Sequence, residues 1–158
     1  MMETPISRAT AVRRGRADPA APARIRNRAA QTEQRLLDAA ERAFTERGYL
    51  RTTVQDIVEG TGLSRAAFYR YFRSTDDVFV RLVTQVVDGL IVSSRVRSGV
   101  TLRDRVRDSN QRYFDIFSQH RGVLRAMFEA SHVNPQIAAI QARMRAAYLQ
   151  RVRDHLRR

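Results

Sequence analysis

Cysteine is missing altogether from these 158 residues, and so is lysine. Without cysteine there is no disulfide framework and no thiolate metal site, a composition that fits a reducing cytosol. The three histidines, His120, His132 and His155, lack metal-ligand spacing. No glycine-rich phosphate loop and no nucleophile motif stands anywhere in the chain, so the sequence offers nothing on which to build an enzyme, a metal site or a bound cofactor. Glycine (7) and proline (4) are scarce, and the long stretches between them show no sustained alternation of apolar and polar residues, so an all-α protein is expected. Long apolar runs are missing too: the richest, "VFVRLVTQVVDGLIV", is interrupted by Arg81 and Asp88. The N-terminus has no apolar signal segment, and the chain reads as soluble and cytoplasmic, with no membrane partner.

What is present is positive charge. Twenty-nine basic residues stand against 16 acidic ones, a formal +13, which creates a long-range field favouring a polyanionic partner, nucleic acid first. All the basic side chains are arginine, whose planar fork suits phosphate and guanine. A GC-rich coding sequence would favour arginine over lysine regardless of function, but it does not explain the excess of charge. At 43% hydrophobic content, 158 residues can bury one sizeable core and a small satellite beside it.

Residues 1–28 carry Pro5, Pro19 and Pro22 among alanines and arginines and read as a basic arm, able to follow a phosphate backbone or simply to stay solvated. A first helix is expected from Ala29 to Arg47, with Leu36, Leu37, Ala40 and Phe44 at helical spacing and Gly48 as its stop. Thr53, with Asp56 three residues on, caps a short second helix whose buried stripe is Val54, Ile57 and Val58, and Gly62 ends it. Ser64 caps a third helix. Placed on a wheel at about 100° per residue, Phe68, Tyr71 and Phe72 fall on one side, and Ala66, Tyr69, Arg70 and Arg73 on another, with Arg65 between.

Two short helices parted by a glycine turn make a helix-turn-helix, whose second member lies in the major groove of DNA. Arg65 is then placed to contact a base, a phosphate or solvent, Tyr69 suits a phosphate, and Phe68 and Phe72 belong to the core. Over Gln34 to Val80, "LLDAAERAFTERGYLRTTVQDIV" followed by "GLSRAAFYRYFRSTDDVF" resembles the DNA-binding domain of the TetR family of bacterial transcriptional regulators. The resemblance implies that Thr53 contacts backbone phosphate, that Arg65 and Ala66 face bases, and that Tyr69 and Tyr71 flank the phosphates, with Ser64 at the helix start. The chain departs from the family where Thr75 replaces a lysine and Ala67 a frequent hydroxyl residue; Arg70 and Arg73 are the candidates to restore the lost charge.

The expected boundaries are a basic arm (1–28), a DNA-binding domain (29–76) and a regulatory domain (77–158). In the last, a fourth helix from beyond Asp76 up to Gly99 carries Val78, Phe79, Leu82, Val83, Val86, Val87 and Leu90. Helices over Leu102 to Gln119, over Gly122 to Val133 and after Pro135 follow. The resemblance implies that these helices hold a small effector. Tyr113, Phe117, Met127, Phe128 and Met144 are the candidate lining, with Glu129 and His132 as polar groups, though the same residues also read as plain core. Family members usually continue through two more helices that form a dimer interface, so the regulatory domain is expected to be incomplete, with a homodimer for the complete protein. The implied function is a cytoplasmic, nucleoid-associated repressor that binds double-stranded operator DNA and is released by a small molecule. The competing reading is a nonspecific architectural DNA binder. Removing residues before Ala29 is expected to flatten the salt dependence of DNA binding by about one unit of slope per lost phosphate contact; titrations at several salt concentrations check it.

Overall fold

The computed structural model describes residues 21–93 and 101–156. Among them the chain is all-helical: α1 (Ala21–Arg47), α2 (Val54–Val58), α3 (Arg65–Tyr69), α4 (Thr75–Ser93), α5 (Leu102–Gln119), α6 (Arg121–Ala130) and α7 (Pro135–Leu156). The arginines at 8, 13, 14 and 16, and the expected run of α4 to Gly99, lie outside the described residues. Helix α1 takes in eight residues before Ala29, so the first helix is longer than expected. The reason is Pro22: in the first turn of a helix its missing N–H removes no hydrogen bond and its fixed φ suits the helix, so a proline that reads as a breaker sits in a start.

The head is built by α1 gripping α2, and α2 gripping α3. Leu36, Leu37, Ala40 and Phe44 of α1 meet Val54, Ile57 and Val58 of α2 and Phe68 of α3 in one continuous core. Helix α4 continues that core with the whole expected stripe, Val78 through Leu90, all buried. Its first half joins the head through Phe79, whose ring centroid lies 4.4 Å from Phe44 and 5.0 Å from Tyr49. Its later part packs on α5 and α7, and α6 closes the bundle against α1. Helix α6 ends at Ala130 rather than Val133. Asn134 explains the difference, because its side-chain oxygen accepts from the N–H groups of Gln136 (3.0 Å) and Ile137 (3.3 Å) to cap α7, and residues 131–133 form the turn that sets it there.

Close contacts dock head on core. Gly122 of α6 lies so near α1 that a Cβ there would clash with the Thr45 side chain. Arg125 donates to the Thr45 carbonyl at 3.0 Å, and His120 Nδ1 lies 2.6 Å from Glu41 Oε1. At the end of α1, Gly48 takes φ +79°, and the Tyr49 N–H after it reaches Glu129 Oε2 at 3.4 Å. The Tyr49 hydroxyl donates to Asp76 Oδ1 at 2.8 Å and accepts from Asn134 Nδ2 at 3.2 Å, so one buried phenol ties α1 to the start of α4 and to the start of α7.

Burial is the largest cause holding that phenol above its ordinary value; the Asn134 hydrogen bond acts the other way, and the Asp76 hydrogen bond and charge add to the rise. A raised pKa means that the neutral phenol's contribution is complete below the unfolded value near pH 10 and is lost as pH rises through the folded value. Tyr49→Phe is expected to cost about 1 kcal/mol at neutral pH and to weaken the loss of stability above pH ~10; urea unfolding across pH checks both.

Candidate nucleic-acid interface

Thr53 begins α2 with extended backbone (φ −111°, ψ 163°), and the box around it is reciprocal. Its side chain accepts from the Asp56 N–H at 3.3 Å, while Asp56 Oδ2 accepts from the Thr53 N–H at 2.9 Å and from its hydroxyl at 2.6 Å. Those bonds, first the side-chain one and then the backbone one, hold the Asp56 carboxyl below its ordinary range; the charge of Arg47, 3.3 Å away, adds to them. The turn to α3 passes through Gly60 and Gly62, both at positive φ, and is pinned from inside the head. The buried Thr61 hydroxyl donates to the Val58 carbonyl at 2.7 Å and accepts from the Leu63 N–H at 3.1 Å, and Arg35 of α1 donates to the Thr61 carbonyl. Ser64 then caps α3, accepting from the Ala67 N–H at 3.1 Å.

Phe68 anchors α3 by full burial, worth about 1.5 to 3 kcal/mol for a side chain of this size, and so turns the opposite face outward. On that face Arg65, Ala66 and Tyr69 are exposed, Tyr69 by 51%. Neither Arg65 nor Arg70 has an ion-pair partner among the described residues. Helix α3 ends at Tyr69, however, so the helical wheel does not extend to Arg73. The Arg70 and Tyr71 N–H groups bond the Ala67 and Phe68 carbonyls at 3.3 and 2.9 Å, and the chain tightens into a turn. Arg70 and Arg73 are exposed, but they come from the turn and from the link to α4. Tyr71 is half-buried against the core, and Phe72 is buried from the turn rather than from a helix face. The Arg73 N–H is held by Asp77 Oδ2 at 2.8 Å, and Ser74 accepts from the Asp77 N–H at 3.1 Å at the start of α4, where Thr75 is the first helical residue.

The expected effector lining is divided between core and surface. Met127 is wholly buried in the core, while Phe128 on the next position is 47% exposed, because adjacent helical residues point about 100° apart and α6 buries only one side. Tyr113, Phe117 and Met144 do lie together, half-buried, with the Tyr113 and Phe117 rings 6.2 Å apart. Tyr113 and Met144 line a cleft of about 10 Å³ with Leu90, Ile91, Tyr148 and Arg151. Glu129 is spent on the Tyr49 N–H, and His132 is exposed. Arg151 and Tyr148 were not singled out as site residues; their spacing of three on a helix, putting guanidinium and ring on one side, is the signal that would have found them.

Residues 36–82 match the family described as bacterial regulatory proteins, tetR family. Over those residues the chain carries the DNA-binding domain of the TetR family. It is 33% identical over 135 residues to the HTH-type transcriptional activator FasR of Mycolicibacterium smegmatis, a match covering 82% of this chain and 62% of that protein. It is 28% identical over 125 residues to the HTH-type transcriptional repressor Rv1474c of Mycobacterium tuberculosis, covering 78% and 66%. A TetR-family regulator from Streptomyces coelicolor shares the fold, with TM-score 0.68 and 21% identity over 82% of this chain and 59% of that one. The chain thus spans somewhat under two thirds of the curated TetR-family relatives named here. Among the described residues no helix is long and apolar enough to cross a membrane.

The capping box generates its own test. A carboxyl held low contributes fully above its unfolded value and loses that contribution as pH falls through its folded value, so the Asp56 contribution fades below pH ~4. Thr53→Ala is expected to lower stability by about 1 kcal/mol and to shrink that acid dependence, measured by denaturant unfolding at pH 7 and at pH 3.

Proposed function

We propose that this TetR-family chain is a sequence-specific DNA-binding transcriptional regulator in which α3 reads the major groove. The observation that carries the reading is the polarity of α3: Phe68 is sealed in the core while Arg65, Ala66 and Tyr69 stand exposed and unopposed by acid, one turn from a capped N-terminus. Arg65 donates its fork to a guanine, Ala66 allows close approach, and Tyr69 holds a phosphate. Thr53 and Ser64 lie at helix starts, where N–H groups and hydroxyls suit phosphate oxygens. Arg70, Arg73 and the Tyr71 edge follow the backbone on the other side of α3, in place of the lysine that Thr75 replaces. Tyr71, half-buried, has only that edge to offer.

Repression is the direction proposed, because occupying an operator suffices for it, whereas activation requires a further surface for the transcription machinery. Release is assigned to a small molecule that enters the bundle and moves α4, which belongs to both head and core. The complete protein acts as a homodimer whose two heads, about 34 to 36 Å apart, read successive major grooves. An architectural binder would use the same arginines without preference for sequence.

Selection of a preferred duplex from random DNA, followed by competition at fixed salt, separates the two: equal affinity for selected and random duplexes would defeat the regulator reading. On the selected site Arg65→Ala is expected to cost on the order of 1 to 3 kcal/mol and to relax preference at one position. A uniform loss at all sequences would make Arg65 a phosphate contact instead.

A further inference from the structure

The cleft between α4, α5 and α7 contains a guanidinium with no ion-pair partner among the described residues. Arg151 of α7 lies with its guanidinium carbon 4.7 Å from the centre of the Tyr113 ring and 5.0 Å from that of Tyr148, and the two rings are 6.2 Å apart. The rings face a cation favourably, and they stiffen the side chain. Yet its Nη1 is buried with no hydrogen-bond partner among the described residues. Buried N–H groups without partners are rare, and one on a full positive charge is the costliest kind. The rest of the wall is apolar, formed by Leu90, Ile91, Met144 and Ala147.

We propose that Arg151 is the anion-recognition residue of the effector cleft, and that the effector is a carboxylate carried on an apolar body. The inference rests on the effector-controlled reading above and names the chemistry of that effector. With aromatic rings against the guanidinium, the edge that carries the unpartnered Nη1 is the direction left for an acceptor. A carboxylate meets that edge with parallel oxygens and carries a single charge. A phosphate dianion brings a second charge into an apolar cleft that supplies one cation, and its desolvation weighs against it. Tyr113 adds a donor: burial first of all pushes its phenol above the ordinary value, outweighing the opposing charge of Arg151, so the hydroxyl keeps its proton at neutral pH.

The cleft of about 10 Å³ has room for about one water, so the apolar body enters by displacing side chains. Met144, unbranched and flexible, is the one suited to yield. Leu90 and Ile91 belong to α4, so a ligand that parts α7 from α4 pushes on the helix whose first turn is tied to the head through Asp76 and Tyr49.

The test is calorimetric titration of the full chain with sodium octanoate and with 1-octanol, which share an apolar body and differ at the head. The chain is expected to prefer octanoate by about tenfold or more, the range of a hydrogen bond to a charged group. Arg151→Gln is expected to bring that ratio to about one while leaving octanol affinity in place, and Arg145→Gln, an exposed change of the same charge on the same helix, is expected to leave the ratio intact. Arg151→Lys, which keeps charge and stem, is expected to retain part of the preference and serves if the glutamine variant does not fold. Equal affinity of the unaltered chain for octanoate and octanol overturns the proposal, as does a preference that survives in Arg151→Gln or disappears in Arg145→Gln. Operator affinity measured with and without octanoate isolates the regulator reading. Selective carboxylate binding that leaves operator affinity unmoved keeps the anion site and removes its effector role; specific operator binding with no octanoate preference does the reverse.

Discussion

One polar tie between head and core passes through the Tyr49 hydroxyl, which gives one hydrogen bond to Asp76 and takes one from Asn134. Asp76 opens α4 and Asn134 caps α7, so the direction in which these helices leave the junction is fixed at a single buried oxygen. The Tyr49 ring also stacks with Phe44 and tilts on Phe79, so the polar tie and the aromatic cluster reinforce one another. Breaking the polar tie leaves Asp76 and Asn134 without that partner, whereas removing the ring would also open the core. The orientation of α3, and with it the proposed reading head, depends on how firmly α1 is held at this end.

Core and head were legible where a local rule settles the outcome. The apolar stripe of α4 from Val78 to Leu90 is buried throughout, α5 runs from Leu102 to Gln119 as its periodicity requires, and Thr53 with Asp56 makes the capping box its spacing announces. Failures occurred where a rule was extended past its range. A wheel assumes constant rotation per residue, and α3 stops at Tyr69, so Tyr71 and Arg73 take their positions from a turn. Pro22 reads as a breaker until a helix start is recognised around it. Contacts such as Tyr49 with Asn134, 85 residues apart, have no local signature at all.

The C-terminal half was less legible for the same reason. Met127 and Phe128 are neighbours in a stripe of plausible lining residues, yet one is sealed in the core and the other faces water. What distinguishes a ligand wall from a packing face is convergence of several helices, which a single stripe does not encode. Arg151 sits between Tyr113 on α5 and Tyr148 on its own helix, and only the crossing of α5 and α7 brings the second ring to it. An arginine-rich chain hides such a residue well, because most of the arginines among the described residues are exposed.

The bond from Arg125 to the Thr45 carbonyl, together with that from Arg51 to the Arg47 carbonyl at 3.0 Å, has a meaning beyond docking. These carbonyls belong to the last turn of α1, where the peptide dipoles leave a partial negative charge and acceptors that the helix itself cannot fill. One of the two cations that answer them comes from the head, and the other from α6. The head helix is therefore finished electrostatically by the core, and a rearrangement that draws α6 away would loosen the end of α1 just before the turn that leads to α2.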